Sequence, residues 1–144
     1  MKTFKVFLNH PNAKIPVKNN KTDAGFDLFS VDEETIIPGE RKIIDTGIVL
    51  HLENGWEAQI RPRSGLAAKN GITIVNTPGT VDCEYRGNIK VIMLNTSTEP
   101  FIVKSGSKIA QMVIKEVPDV ELEITDTLDT NTNRGVKGFG SSGV

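Results

Sequence analysis

A chain of 144 residues has the length of one domain and enough substance for an ordinary core, so one folding unit is expected. Its 17 basic and 18 acidic side chains are mixed along the chain and leave a net charge of -1, which excludes the broad field of a nucleic-acid or membrane-surface protein and makes any phosphate binding local. The one cysteine, Cys83, excludes an internal disulfide, and no window nears the about 18 apolar residues of a membrane span, so a soluble, unprocessed, cytoplasmic protein is expected.

Residues 2–8 alternate, with Phe4, Val6 and Leu8 on one side, and predict a strand. Residues 9–20, with Pro11 and Pro16, read as loop. Residues 26–31 look extended, and Thr35-Ile36-Ile37 runs into the turn pair Pro38-Gly39. Strands follow at 42–45, 48–52 and 56–60, divided by Thr46-Gly47 and by Asn54-Gly55, a pair that accepts the left-handed backbone of a tight hairpin. One short helical turn is expected over 66–70, capped by Ser64 and stopped at Gly71. Residues 72–75 and 89–94 are rich in β-branched side chains and predict the two strands of a hairpin whose tip is 79–87.

Beyond the hairpin, 101–103, 108–115 and the alternating Val120-Glu121-Leu122-Glu123-Ile124 complete the set of strands. Short strands with regular turn signals predict an all-β barrel or sandwich over residues 1–124. Residues 125–144 offer no core, end in a glycine-rich run, and predict a C-terminal arm that orders only when something binds.

Five stretches carry chemistry. Asp27, between Phe26 and Leu28, is either an exposed strand residue or a carboxylate for a hard cation such as magnesium, which prefers oxygen and keeps its own water. Arg63-Ser64-Gly65 joins a guanidinium, a hydroxyl and a helix start, and reads equally as a phosphate cradle and as an ordinary cap. The tip holds Asp82, Glu84, Tyr85 and Arg86; alternation sets Asp82 and Glu84 on one face and Cys83 and Tyr85 on the other unless a tight bend intervenes. Gln111 lies on a strand and is weak by itself. In the arm, Arg134, the glycines and Ser141-Ser142 suit a phosphate, and Phe139 suits a lid over a flat base, against the plain alternative of a linker. His10 and His51 stand in no cluster with metal spacing and read as structural, and Ser64 has no histidine partner of a hydrolytic triad.

Taken in order and spacing, these stretches resemble the five motifs of the trimeric dUTP diphosphatase (dUTPase) family: Ala24-Gly25-Phe26-Asp27-Leu28, Pro62-Arg63-Ser64-Gly65-Leu66-Ala67, Gly79 with Val81-Asp82 and Tyr85-Arg86-Gly87, Gly106 with Ile109-Ala110-Gln111-Met112, and Arg134-Gly135 with Gly138-Phe139-Gly140-Ser141. The resemblance implies a jelly-roll subunit in a homotrimer with shared active sites, closed by the arm of one chain, and the hydrolysis of dUTP to dUMP and pyrophosphate. That reaction limits uracil in DNA and supplies dUMP for dTMP synthesis.

Carried onto matching positions, the resemblance makes Asp82 the base that activates the attacking water and lays Tyr85 against the deoxyribose. It gives the uracil edge to Asn76 and to backbone groups of Thr80, Val81 and Asp82. It gives the phosphate chain to Arg63, Ser64, Gly65 and Gln111, and Mg2+ to Asp27 through water. Arg134, Gly140, Ser141 and Ser142 would then clasp the γ-phosphate beneath a stacked Phe139. Two departures stand out: Ser107-Lys108 where the family commonly has an acidic residue and arginine, and Ser142 where it commonly has threonine. Both departures keep a donor, but lysine lacks the planar fork of arginine, so a bidentate contact at 108 is not expected. A deaminase of the same fold fits less well, since Gly65 follows Ser64 and the chain carries the Phe139 arm; a non-catalytic nucleotide sensor is countered by the intact Asp82.

Overall fold

The computed structural model of the chain describes residues 2–139. Its strands are β1 Lys5–Leu8, β2 Phe26–Phe29, β3 Glu34–Ile36, β4 Arg41–Asp45, β5 Ile48–His51, β6 Trp56–Arg61, β7 Ile72–Ile74, β8 Gly79–Val81, β9 Lys90–Asn95, β10 Phe101–Val103 and β11 Lys108–Glu116, with one helix, α1 Ser64–Asn70. All the pairings are antiparallel. The larger sheets run β2-β11-β6-β8 and β4-β9-β7, with β1-β5 and β3-β10 as two-stranded pairs.

Alternation along the strands builds the core. In β9, Val91, Met93 and Asn95 are buried while Lys90, Ile92 and Leu94 are not, as a period of two requires. Leu28 from β2, Ile60 from β6, Val81 from β8 and Met112 from β11 meet Ile44 from β4, Ile74 from β7 and Met93 from β9 in one apolar cluster. Each such side chain contributes roughly 1.5–3 kcal/mol by leaving water. The strands predict an all-β barrel or sandwich and the resemblance implies a jelly roll, which this is; β11, paired on both edges, runs through the middle of its larger sheet.

Several expectations are corrected: Asn54-Gly55 turns the chain between β5 and β6, but those two strands pair elsewhere and form no hairpin. Strands β7 and β9 do pair, Ile72 opposite Asn95 and Ile74 opposite Met93, but residues 79–87 are not the tip of their hairpin. Gly79, Thr80 and Val81 cross to the other sheet and pair with Ile60, Gln59 and Ala58 of β6. The amide of Tyr85 then donates to the Asp82 carbonyl at 3.1 Å, closing a turn that breaks strand alternation through 82–85. In α1, Arg63 rather than Ser64 is the N-cap, with extended backbone and no side-chain cap bond; Gly71 ends the helix at φ 63°, as a left-handed C-cap should.

Residues 120–124 form no strand, and Val120, Leu122 and Ile124 are 72%, 95% and 94% exposed. Alternation prepares a segment for pairing, but a ladder needs a partner strand, and residues 120–124 pair with no described strand. On the side of β1 that Phe4, Val6 and Leu8 share, Phe4 and Val6 pack against the core and Leu8 is 48% exposed.

Candidate active site

Three elements converge on an open cleft of about 460 Å³ lined by Asp23, Gly25, Asp27, Arg63, Ser64 and Gln111 among others. Asp27 of β2 stands opposite Gln111 of β11, and Gln111 stands opposite Arg61 of β6, so the strand registers bring the first, second and fourth motifs together. Pro62 and Arg63 leave β6 toward α1, and Gln111 Nε2 donates to the Pro62 carbonyl at 2.9 Å. Gly25 lets that amide lie close: a β-carbon at 25 would overlap Gln111 Oε1 and stand 3.3 Å from its Cδ.

The cleft holds one cation that sequence reasoning did not place there. Lys108 Nζ lies 2.7 Å from Asp27 Oδ2, while Arg63 Nε donates to Asp27 Oδ1 at 3.1 Å. Lys108 and Gln111 are three residues apart, which on a regular strand puts them on opposite faces. A register shift between Lys108 and Ala110 adds one residue to the count, so Ile109 and Ala110 are both buried and Lys108 and Gln111 both reach the cleft. The bulge is the missing signal. Arg63 and Lys108 balance Asp23 and Asp27 in formal charge, and the cleft gathers donors from both cations, from Ser64 and Gln111, and from exposed backbone at Gly65. That composition suits a polyanion.

The third motif forms a separate group. Asp82 is exposed directly after β8 and has no ion-pair partner among the described residues. Thr80 is exposed and Val81 is buried; Asn76 lies over β8, with its Nδ2 3.3 Å from where a β-carbon on Gly79 would stand. Tyr85 is 47% exposed and its hydroxyl donates to the Asn88 carbonyl at 3.0 Å. Cys83 is half-buried, with Sγ 3.4 Å from Asn54 Oδ1. No hydrogen bond or ion pair among the described residues joins this group to the Asp27 cleft.

Arg134 is exposed and its Nε donates to the Lys137 carbonyl at 3.0 Å, and Phe139 is fully exposed. Gly140, Ser141 and Ser142 lie outside the described residues. His10 accepts from the Asn12 amide at 3.1 Å, a turn contact.

The chain is an all-β jelly-roll protein with an open, donor-lined cleft. Comparison with known proteins gives the family: a family model described as dUTPase matches residues 11–143, and the chain belongs to the dUTPase family. It is 52% identical over 143 residues to the deoxyuridine 5'-triphosphate nucleotidohydrolase of Clostridium novyi (strain NT), covering 97% of this chain and 99% of that one. Among solved structures it is similar to the Staphylococcus bacteriophage 80alpha dUTPase with dUPNHPP, at a TM-score of 0.92 and 29% identity over 100% of both chains. It is also similar to a mutant dUTPase from phage phi11 of S. aureus in which a structural Mg(II) ion is coordinated, at a TM-score of 0.81 and 27% identity over 88% of this chain and 98% of that one. No helix among the described residues is long and apolar enough to cross a membrane.

Proposed function

We propose that the chain hydrolyses dUTP to dUMP and pyrophosphate, with Asp82 as the general base. Water attacks the α-phosphorus, its proton passes to the Asp82 carboxylate, and the bond from the α-phosphorus to the bridging oxygen breaks, releasing pyrophosphate. What supports this division is the contrast between two carboxylates. Asp27 is 15% exposed and both its oxygens are engaged by Arg63 and Lys108, whereas Asp82 is exposed and unpaired among the described residues, which leaves its carboxylate open to a water. Arg63, Ser64, Gly65 and Gln111 hold the phosphate chain, joined by Lys108. Asn76 with the backbone of Thr80, Val81 and Asp82 reads the uracil, Tyr85 the deoxyribose, and Arg134, Phe139, Gly140, Ser141 and Ser142 close the site. Removing dUTP keeps uracil out of DNA, and the dUMP formed feeds dTMP synthesis, in the cytoplasm.

Magnesium fits this site in one way only. No group of three or more His, Cys, Asp or Glu among the described residues is placed to hold a metal, and both oxygens of Asp27 already face cations. A metal caged by protein is therefore a poor match, whereas Mg2+ carried on the triphosphate and held by Asp27 through water matches the ion's habit. When bound, the ion offsets charge gathering on the pyrophosphate. The homotrimer belongs to the same proposal: Val120, Leu122 and Ile124 expose an alternating apolar face that a neighbouring subunit would cover, bringing the arm, the Asp82 group and the Asp27 cleft together from different chains.

Incubation of the pure protein with dUTP and separately with dCTP, with products resolved by chromatography, tests the activity; dUMP and pyrophosphate from dUTP and no deamination of dCTP are expected. The phosphate cleft has its own test. Gly25→Ala pushes the Gln111 amide aside without demanding an unusual backbone, since Gly25 is not among the left-handed glycines. A hydrogen bond to a charged group is worth about 1.5–3 kcal/mol, so kcat/KM should fall by about tenfold or more. Gln111→Ala should match it, and the double variant should lose little further; additive losses would show that Gly25 acts elsewhere.

A further inference from the structure

We propose that Gly87 is a specificity-determining position, which sets the depth of the sugar site by letting the hydroxyl end of the Tyr85 ring lie against the backbone. This rests on the assignment of Tyr85 to the deoxyribose. The left-handed glycines among the described residues are Gly39, Gly47, Gly55, Gly71, Gly106 and Gly135, so the backbone itself does not require glycine at 87. The tyrosine does. A β-carbon at 87 would overlap the Tyr85 hydroxyl oxygen and stand 2.6 Å from Cζ and 3.0 Å from Cε2. Carbon atoms settle at about 3.5–4.0 Å, so the ring would have to lift by roughly 1 Å.

Nothing else in the loop lets the ring move freely. Its hydroxyl is tied to the Asn88 carbonyl, and the Asn88 side chain donates to both Asp45 carboxylate oxygens, at 3.2 Å and 3.1 Å. Asn88 Oδ1 accepts from Asn9 Nδ2 at 2.8 Å, and Asp45 Oδ1 accepts from the Gly47 amide at 2.7 Å, which fixes the loop to the β4–β5 turn and the end of β1. Arg86 Nη1 donates to the Cys83 and Tyr85 carbonyls at 2.6 Å and 3.0 Å, closing the loop on itself. The hydroxyl end of the ring is thus held between Gly87 and the Asn88 carbonyl, while Tyr85 as a whole stays 47% exposed. A methyl group at 87 lifts it into the space the sugar needs, and the loss passes entirely through Tyr85.

The test is a double-mutant cycle on kcat/KM for dUTP and for UTP with wild type, Gly87→Ala, Tyr85→Ala and the double variant. Gly87→Ala in the presence of Tyr85 should lower kcat/KM for dUTP by about tenfold, chiefly through KM, and compress the preference for dUTP over UTP by about threefold or more. With Ala at 85 the same change at 87 should cost less than about twofold, the mark of coupled residues. An equal loss in both backgrounds is a backbone effect and overturns the proposal, as does an unchanged dUTP preference in Gly87→Ala. A wild type that does not prefer dUTP to UTP refutes the sugar assignment instead.

Discussion

Replacing Asp82 by asparagine should reduce kcat by about a hundredfold or more while binding of a non-hydrolysable dUTP analogue stays within about threefold of wild type. The amide keeps the shape of the carboxylate and its place after β8, but it does not accept the proton of the attacking water. Because Asp82 has no ion pair among the described residues, the substitution strands no buried charge and the fold should stand. Asp27→Asn makes the opposite experiment. It leaves Arg63 and Lys108 facing each other without their shared carboxylate, so loss of stability or of analogue binding is expected together with loss of rate. Single-turnover kinetics beside calorimetric binding separate the cases. Should Asp82→Asn keep more than about a tenth of wild-type kcat, less than the usual loss of a general base, another group takes the proton.

The sheet was legible because its strands keep a period of two between turn residues whose backbone needs are plain. Gly71 does end the helix for the conformation its glycine allows, and Gly55 does turn the chain at φ 80°, but β5 and β6 on either side of it do not pair. What the order of residues concealed was connectivity. Nothing local in Gly79-Thr80-Val81 distinguishes pairing with β9 from crossing to β6, because both choices bury Gly79 and Val81 and expose Thr80. The cleft was legible in Asp27, Arg63 and Gln111, and illegible in Lys108, since its face is set by a bulge that the run Lys108-Ile109-Ala110-Gln111 does not announce. The support of Tyr85 by Gly87 was hidden for a related reason: a side chain folded back on its own loop leaves no periodic trace.

Residues 120–124 carry the lesson into the assembly and fix where a truncation should be made. Their apolar side chains are bare in the single chain, so cutting before Val120 should weaken the trimer as well as the reaction. Cutting after Asn133 removes Arg134 and Phe139 and spares that surface. Val136 and Phe139 are 97% and 114% exposed, so residues 134–139 contribute little burial to the chain. The melting temperature should therefore stay within about 2 °C, where a loss of about 1 kcal/mol would move a chain of this size by about 3 °C. The rate should fall by about a hundredfold, because closure positions the phosphates and expels water rather than holding the core.

Mixing the truncated chain with full-length Asp82→Asn chains then asks whose arm closes whose site. Each parent alone is poor: one lacks the arm and the other the base. If the arm crosses to a neighbour, a mixed trimer contains at least one site that takes Asp82 from a truncated chain and the arm from an Asp82→Asn chain, and pyrophosphate release should recover to a clear fraction of wild type after subunit exchange. If each arm served its own chain, every site in the mixture would keep one defect. Native mass spectrometry shows whether mixed trimers formed, so their presence without recovered activity would assign arm and base to the same chain.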